Sequence, residues 1–420
     1  MIQFATRFVL AICSACLLAA APSDQTKAGL PTDYTRNSDY QIRYDDWELI
    51  LSGSVLDVGP SDRRAAGRSH RMNGTTRIRH SNSRATAFEG NRVLFSEFRD
   101  EHVASLLAIR KDLEAIPDYT PLEEFDRFEQ LAYWYNLHNV AVMYEIANAY
   151  PIKKIKSLVE GRKAVWDVKS MSIGGVPTSI RDIEEHVVNN WNDPLVLYGF
   201  FMGTVGGPNI MTTAFTGDNV IDSLQLNAVR FVNSLRGVKM WSGSARVSDH
   251  YGMGKHYFPN FQEDLMQHLL KYARPDTRRD LAKAKSLKIK NYDWGIADLK
   301  DGSVYNGSSF NTNPGSLAFF LQSTPGGTST SAGSVNVAVN DSIFQSPAVG
   351  LNNHGGSIAP QTQALLRAVR LRNSRRLKQG EVTVEEFVDD EGGRVQRRNE
   401  TAPAKAPPKD ESEDNLALAD

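Results

Sequence analysis

A chain of 420 residues with a formal net charge of −1 is long enough for one substantial domain with extensions, or for two domains. The near-neutral balance and ordinary apolar fraction argue for a soluble fold and against a general nucleic-acid binder. Only two cysteines occur, Cys13 and Cys16, and both lie in the first apolar run.

That run is a targeting signal. Arg7 gives a basic start, Phe8–Ala21 is too short to span a bilayer comfortably, and small residues follow. A signal peptide over residues 1–23 is expected, with cleavage near Ala21–Ser23 or later near Ala28, and a periplasmic or secreted location. A retained anchor is the alternative. A lipoprotein reading fits poorly, because Ile12 precedes Cys13 and Cys13 stands where a leucine is wanted before Cys16. No other stretch reaches the roughly 18 apolar residues of a membrane span. Once cut, the expected mature chain holds no disulfide, no thiolate nucleophile and no cysteine-bound zinc.

Residues 24–90 read as an N-terminal extension. Tyr40–Val58 carries the aromatics of a docked helix or strand. Between Ser61 and Arg84 stand seven arginines (Arg63, Arg64, Arg68, Arg71, Arg77, Arg79, Arg84) against the single acid Asp62. This stretch is either a surface for an anionic partner, such as lipid head groups or an envelope polymer, or a solvated loop whose arginines pair elsewhere.

The main domain is expected over residues 91–298. Asn91–Ile116 predicts a strand or turn and then an amphipathic helix with Val103, Leu106, Leu107, Ile109 and Leu113 inward, ended by Pro117. Phe125–Tyr150 predicts the central helix, its stripe carried by Phe128, Leu131, Trp134, Tyr135, Ala141, Val142, Ile146 and Ala149, and stopped before Pro151. Asn136, His138 and Asn139 sit among these apolar residues, where burial requires partners. They either pin neighbouring loops or line a site.

Trp166–Ile173 alternates like a strand, Gly174–Gly175 forms a hairpin-like turn, and Ser179 with Asp182 makes a capping box for the next helix. Further helices are expected at Asp218–Leu235, Phe261–Tyr272 (ended by Pro275) and Arg278–Leu287. A closing strand should run over Leu287–Trp294. The expected fold is α+β, a helix-rich single domain with a small β-sheet from Trp166–Ile173, parts of Val196–Val205 and Leu287–Trp294. Residues 299–360 form a Gly/Ser/Asn-rich linker. Residues 361–392 hold a helix with a short following segment, either a partner helix or one capping its own domain. Residues 393–420 read as a disordered tail, completing a low-complexity C-terminal extension.

Known catalytic constellations are missing: there is no G-x-S-x-G elbow, no H-E-x-x-H helix and no phosphate loop, and neither a cofactor nor a metal is expected. Thr204–Pro208 offers Gly206 and Gly207, which either let backbone approach a ligand or simply turn the chain. Asp182 and His186 share a helix face at metal-ligand spacing, with a surface pair as the ordinary explanation.

Taken together, QLAYWYNLHN at Gln130–Asn139, DPLVLYGFFMGTVGGPNI at Asp193–Ile210 and NYDW at Asn291–Trp294 resemble the domain of unknown function 547 family, in its bacterial, exported form. The resemblance spans roughly Asn91–Asp298. Glu129, Ala132, Trp134, Asn136 and Asn139 fall on the family's helix pattern, with His138 where a tyrosine is usual. Glu184 matches an I-E pair, and Tyr292–Trp294 the Y-D-W. The family's histidine and cysteine positions hold Leu197 and Gly207, so the thiolate chemistry their pairing suggests cannot be carried over. The resemblance therefore implies an emptied cleft with Asn136, His138, Asn139, Gly206, Gly207, Asn209 and Asp293 as binding residues for an unknown envelope ligand or protein. The alternative is a cysteine-independent hydrolase or amide transferase, with His138 as base beside Glu129 or Glu184 and a hydroxyl of Thr204 or Tyr198 as nucleophile.

Overall fold

The computed structural model describes residues 29–67, 85–162, 164–302, 362, 364–369 and 371–372. The expected signal peptide, Arg68, Arg71, Arg77, Arg79 and Arg84, nearly all of the Gly/Ser/Asn-rich linker and the C-terminal tail lie outside the described residues.

In chain order, helix α1 (Asp45–Ser54) runs into the short strand β1 (Val55–Leu56), which pairs antiparallel with β2 (Arg92–Val93). Trp47 and Leu51 turn inward and join the same core as the rest of the domain. Helix α2 (Asp100–Tyr119) follows. Contrary to the sequence reading, Pro117 does not end it: the ring is accommodated inside the last turn and the helix closes at Tyr119. Helix α3 (Arg127–Ala149) starts at Asp126, whose carboxylate accepts the Phe128 N–H, and stops where Tyr150 turns extended before Pro151.

A single turn, α4 (Lys156–Val159), leads to the hairpin of β3 (Met171–Ile173) and β4 (Val176–Thr178). Gly174 and Gly175 form its turn at φ of 53° and 79°, the left-handed pair that a two-residue hairpin loop needs. Helix α5 (Ile180–Asn190) opens with the Ser179–Asp182 capping box. Val196–Val205 supplies no strand. Asp193 caps a 3₁₀ helix over Pro194–Gly199, and only an isolated bridge, Thr204 to Ile296, follows. Trp166–Val168 likewise turns, so the expected strand is shortened to β3.

Helix α6 (Val220–Val232) precedes β5 (Val238–Trp241) and β6 (Ser244–Ser248), an antiparallel pair. Helices α7 (Phe261–Tyr272) and α8 (Pro275–Ala282) cross over to β7 (Leu287–Asn291), which lies parallel to β6. Pro275 opens α8 at its first turn, where a missing N–H costs nothing. The fold is therefore helix-rich, with three small sheets rather than one. Residues 364–369 are helical, and Leu365 and Val369 pack on Leu56 and Val58. No helix among the described residues is long and apolar enough to cross a membrane.

Helix α3 is the axis of the domain. Every residue from Glu129 to Met143 is buried, so it has no solvent face. Phe128, expected in its inward stripe, is instead 46% exposed at the first turn. A helix buried all round must find internal partners for each polar side chain it carries.

Candidate functional site

The central polar group of α3 is His138, with no exposed surface. Its Nδ1 lies 2.9 Å from Asn139 Oδ1 and its Nε2 3.1 Å from Glu184 Oε1. The Asn139 amide is oriented by the backbone: Oδ1 accepts the Phe201 N–H at 2.9 Å and Nδ2 donates to the Gly199 carbonyl at 3.2 Å. Oδ1 therefore can only accept, and His138 Nδ1 must carry its hydrogen. That leaves Nε2 facing a carboxyl oxygen, with one proton between the two groups. Glu184 Oε1 also accepts from Trp166 Nε1 at 3.1 Å, and Arg181 stands 3.6 Å from Oε2. The sequence reading missed Trp166 and Arg181 as members of this cluster; Arg181 stands three residues before Glu184 on α5, the spacing of a helix pair, whereas nothing local marks Trp166.

The arrangement differs from a catalytic dyad in one respect. A histidine base uses one ring nitrogen for its orienting group and the other for the nucleophile. Both nitrogens of His138 are occupied, one by an amide and one by a carboxyl group. The proposed hydroxyls are tied elsewhere: Thr204 donates to the Tyr292 hydroxyl at 2.9 Å, and the Tyr198 hydroxyl lies 2.8 Å from His268 Nε2 and 3.2 Å from that of Tyr251. Glu129 does not join His138. Its two oxygens accept the Ile42 and Gly217 N–H groups at 2.9 and 2.8 Å, and burial pushes its carboxyl upward against those two bonds.

The remaining predicted binding residues hold backbone. Asn136 donates to the Phe215 carbonyl at 2.7 Å and accepts the Phe215 N–H at 3.1 Å, closing a reciprocal pair. Asn209 Oδ1 accepts the Asn91 N–H at 3.0 Å and an Arg236 N–H at 2.5 Å. Gly206 donates to the Asp293 carbonyl at 2.9 Å, and a Cβ there would stand 2.5 Å from the Asp293 nitrogen, so only glycine admits this contact. The Gly207 carbonyl accepts from Arg236 at 2.6 Å. Asp293 itself takes the Thr86 hydroxyl and the Gly295 N–H. Leu197 is buried, and its carbonyl accepts from His250 Nε2 at 2.6 Å.

Two buried guanidinium groups escaped the sequence reading. Arg92 bonds the carbonyls of Ala87, Glu89, Gly90 and Asn91. Arg236 is drawn down to about 10 by burial; it bonds the Val205 and Gly207 carbonyls and the Asn209 amide oxygen, and lies 5.3 Å from the centre of the Phe231 ring. Asp182 is used by its capping box and by Lys169, while His186 packs 4.6 Å from the Trp134 ring and burial lowers it to about 4. Among the described residues no three metal-ligating side chains converge. Of the arginine-rich stretch, Arg63 pairs with Asp280 at 3.3 Å and Arg64 is exposed.

A surface groove of about 460 Å³ lies between residues 40–47 and the 109–125 region, rimmed by Tyr40, Asp46, Asp112 and Tyr119. Tyr40 and Tyr119 are 55% and 85% exposed, and Ile42, whose N–H Glu129 holds, forms part of its wall. None of Asn136, His138, Asn139, Gly206, Gly207, Asn209 or Asp293 lines it.

No curated protein and no solved structure matches the chain. Residues 122–232, which include Glu129, the α3 polar set, Glu184 and Gly206–Asn209, are similar to the family described as protein of unknown function, DUF547.

Proposed function

We propose that this chain is an exported, non-catalytic protein that binds an envelope ligand or partner, and that its buried polar set is the frame of the molecule. Export rests on the short apolar run behind Arg7. The observation that carries the non-catalytic reading is the saturation of His138: both ring nitrogens are engaged, the residue has no exposed surface, and neither Thr204 nor Tyr198 bonds it. Binding then belongs on the surface, and the groove between Tyr40 and Tyr119 offers two open aromatic faces beside carboxylates, the mixture that orients a polar ligand with one apolar side.

A second reading, a hydrolase or amide transferase, draws on the 3.1 Å contact between His138 and Glu184. The test separates the two with His138→Ala and Glu184→Gln, the latter keeping the buried shape. Under the binding reading the wild-type protein turns over no amide or ester substrate and His138→Ala lowers the melting temperature, since removing one partner strands a buried acid at a cost of about 3–5 kcal/mol. Wild-type turnover abolished by Glu184→Gln at an unchanged melting temperature would establish the enzyme instead.

A further inference from the structure

The sheet of β5, β6 and β7 carries charge of one sign. Residues 238–248 and 281–291 hold six cationic side chains (Lys239, Arg246, Lys283, Lys285, Lys288, Lys290) and no aspartate or glutamate. The strand register sets Lys239 opposite Arg246 and Arg246 opposite Lys288, so three cations form a row across neighbouring strands. Val238, Ala245, Val247 and Leu287 alternate with them and fill the core side. Like charges directly opposite each other on a sheet are destabilising. None of the six forms an ion pair among the described residues. The first acid after β6, Asp249, turns to the backbone of Asn291 instead.

Beside this row stands Trp241, at the tip of the β5–β6 hairpin and 46% exposed, whereas Trp47, Trp134, Trp166 and Trp191 are buried. The turn itself, Ser242–Gly243, has both residues at positive φ, as a two-residue hairpin loop requires, and the Gly243 carbonyl accepts the Lys285 N–H at 2.9 Å. The Arg246 guanidinium lies 4.6 Å from the centre of the Trp241 ring.

We propose that this face is a docking surface for the anionic lipid head groups of a membrane. Strands about 4.8 Å apart make the cations a two-dimensional patch, matched to an array of head groups rather than to one polymer track. A single-stranded nucleic acid would call for a series of stacking rings along a groove. One half-exposed tryptophan at the hairpin tip, with the Arg246 guanidinium over its ring, suits instead the boundary between head groups and water. The proposal is independent of the Tyr40–Tyr119 groove and of whether His138 has any chemistry.

The experiment uses the full chain and vesicles of equal parts phosphatidylglycerol and phosphatidylcholine, with pure phosphatidylcholine as control. Binding should require the anionic lipid and weaken with added salt. Each cation near such a surface contributes about fivefold in affinity, so Lys239→Gln, Arg246→Gln and Lys288→Gln together should weaken binding on the order of a hundredfold. The melting temperature should not fall, because the three replacements relieve repulsion. Brominated lipid should quench fluorescence in the wild type and much less in Trp241→Phe. The arginine-rich stretch from Arg63 is unchanged in every variant, so undiminished vesicle binding by the triple variant would overturn the assignment. So would capture of a polyphosphate or an oligonucleotide, lost in that variant, by a protein that ignores the vesicles.

Discussion

The interior around α3 and the outer face of the β5–β6–β7 sheet treat polar side chains in opposite ways. Around α3, Asn136, His138, Asn139 and Glu184 are buried and engaged, mostly with loop backbone. On the sheet, Lys239, Arg246 and Lys288 face one another without an acid. The first region spends its polarity on holding the fold. The second leaves it open at a cost to the fold. Polarity inside the motif thus serves the fold, and the proposed membrane contact rests on cations that form no ion pair among the described residues.

The sharpest way to break that contrast is Asn139→Ala. Asn139 bridges α3 to the end of the Pro194–Gly199 helix and the irregular segment after it through the Gly199 carbonyl and the Phe201 N–H, and it fixes the His138 tautomer. Alanine leaves three buried groups unsatisfied, at about 1–3 kcal/mol each. Urea unfolding should show a loss of several kcal/mol, about 3 at least. A loss below 1 kcal/mol, about that of an ordinary surface change, would mean the asparagine is not structural.

Next in size is the acid response. Burial depresses His186, His250 and His268 to about 4 from an ordinary 6.5. Between those values the unfolded chain binds more protons than the native one, so stability is complete above about 6.5 and drains away as pH falls toward 4. The melting temperature should therefore fall from pH 7 to pH 5. His186→Gln, whose ring faces Trp134, should flatten that fall while lowering the starting value. An unchanged slope in this variant would remove His186 from the account.

The interior was partly legible in the sequence because burial of polar groups follows from pattern. The α3 helix, its stop before Pro151, the Ser179 capping box and the Gly174–Gly175 hairpin all come from local chemistry, and the structure holds each of them, although α3 is buried all round rather than on one face. What stayed hidden were partners from far along the chain. Nothing local says that Glu184 reaches His138 while Glu129 turns to Ile42 and Gly217, or that Arg236 supports the Gly207 turn. Pro117 and the Val196–Val205 stretch misled because tertiary packing overrode propensity there. The sheet's charge, by contrast, was present in the sequence as two acid-free stretches 33 residues apart, from Ser248 to Leu281. Only the strand register shows that they meet.

The smallest effect bears on that register. Lys239 is partly buried and its ammonium is pushed down first by burial and then by Arg246 across the strand. Lys239→Glu replaces repulsion by attraction at the same site and should stabilise the fold by about 0.5 kcal/mol, within the range of a cross-strand pair. The gain should shrink in high salt, since a pair this near the surface is screened. The same change should weaken vesicle binding more than Lys239→Gln does, because it subtracts two charges from the row instead of one. A variant that is both more stable and less able to bind would show that repulsion is retained for contact with an anionic surface. One that is less stable would mean that Lys239 is held by its aliphatic stem, and that the row of cations carries no strain to release.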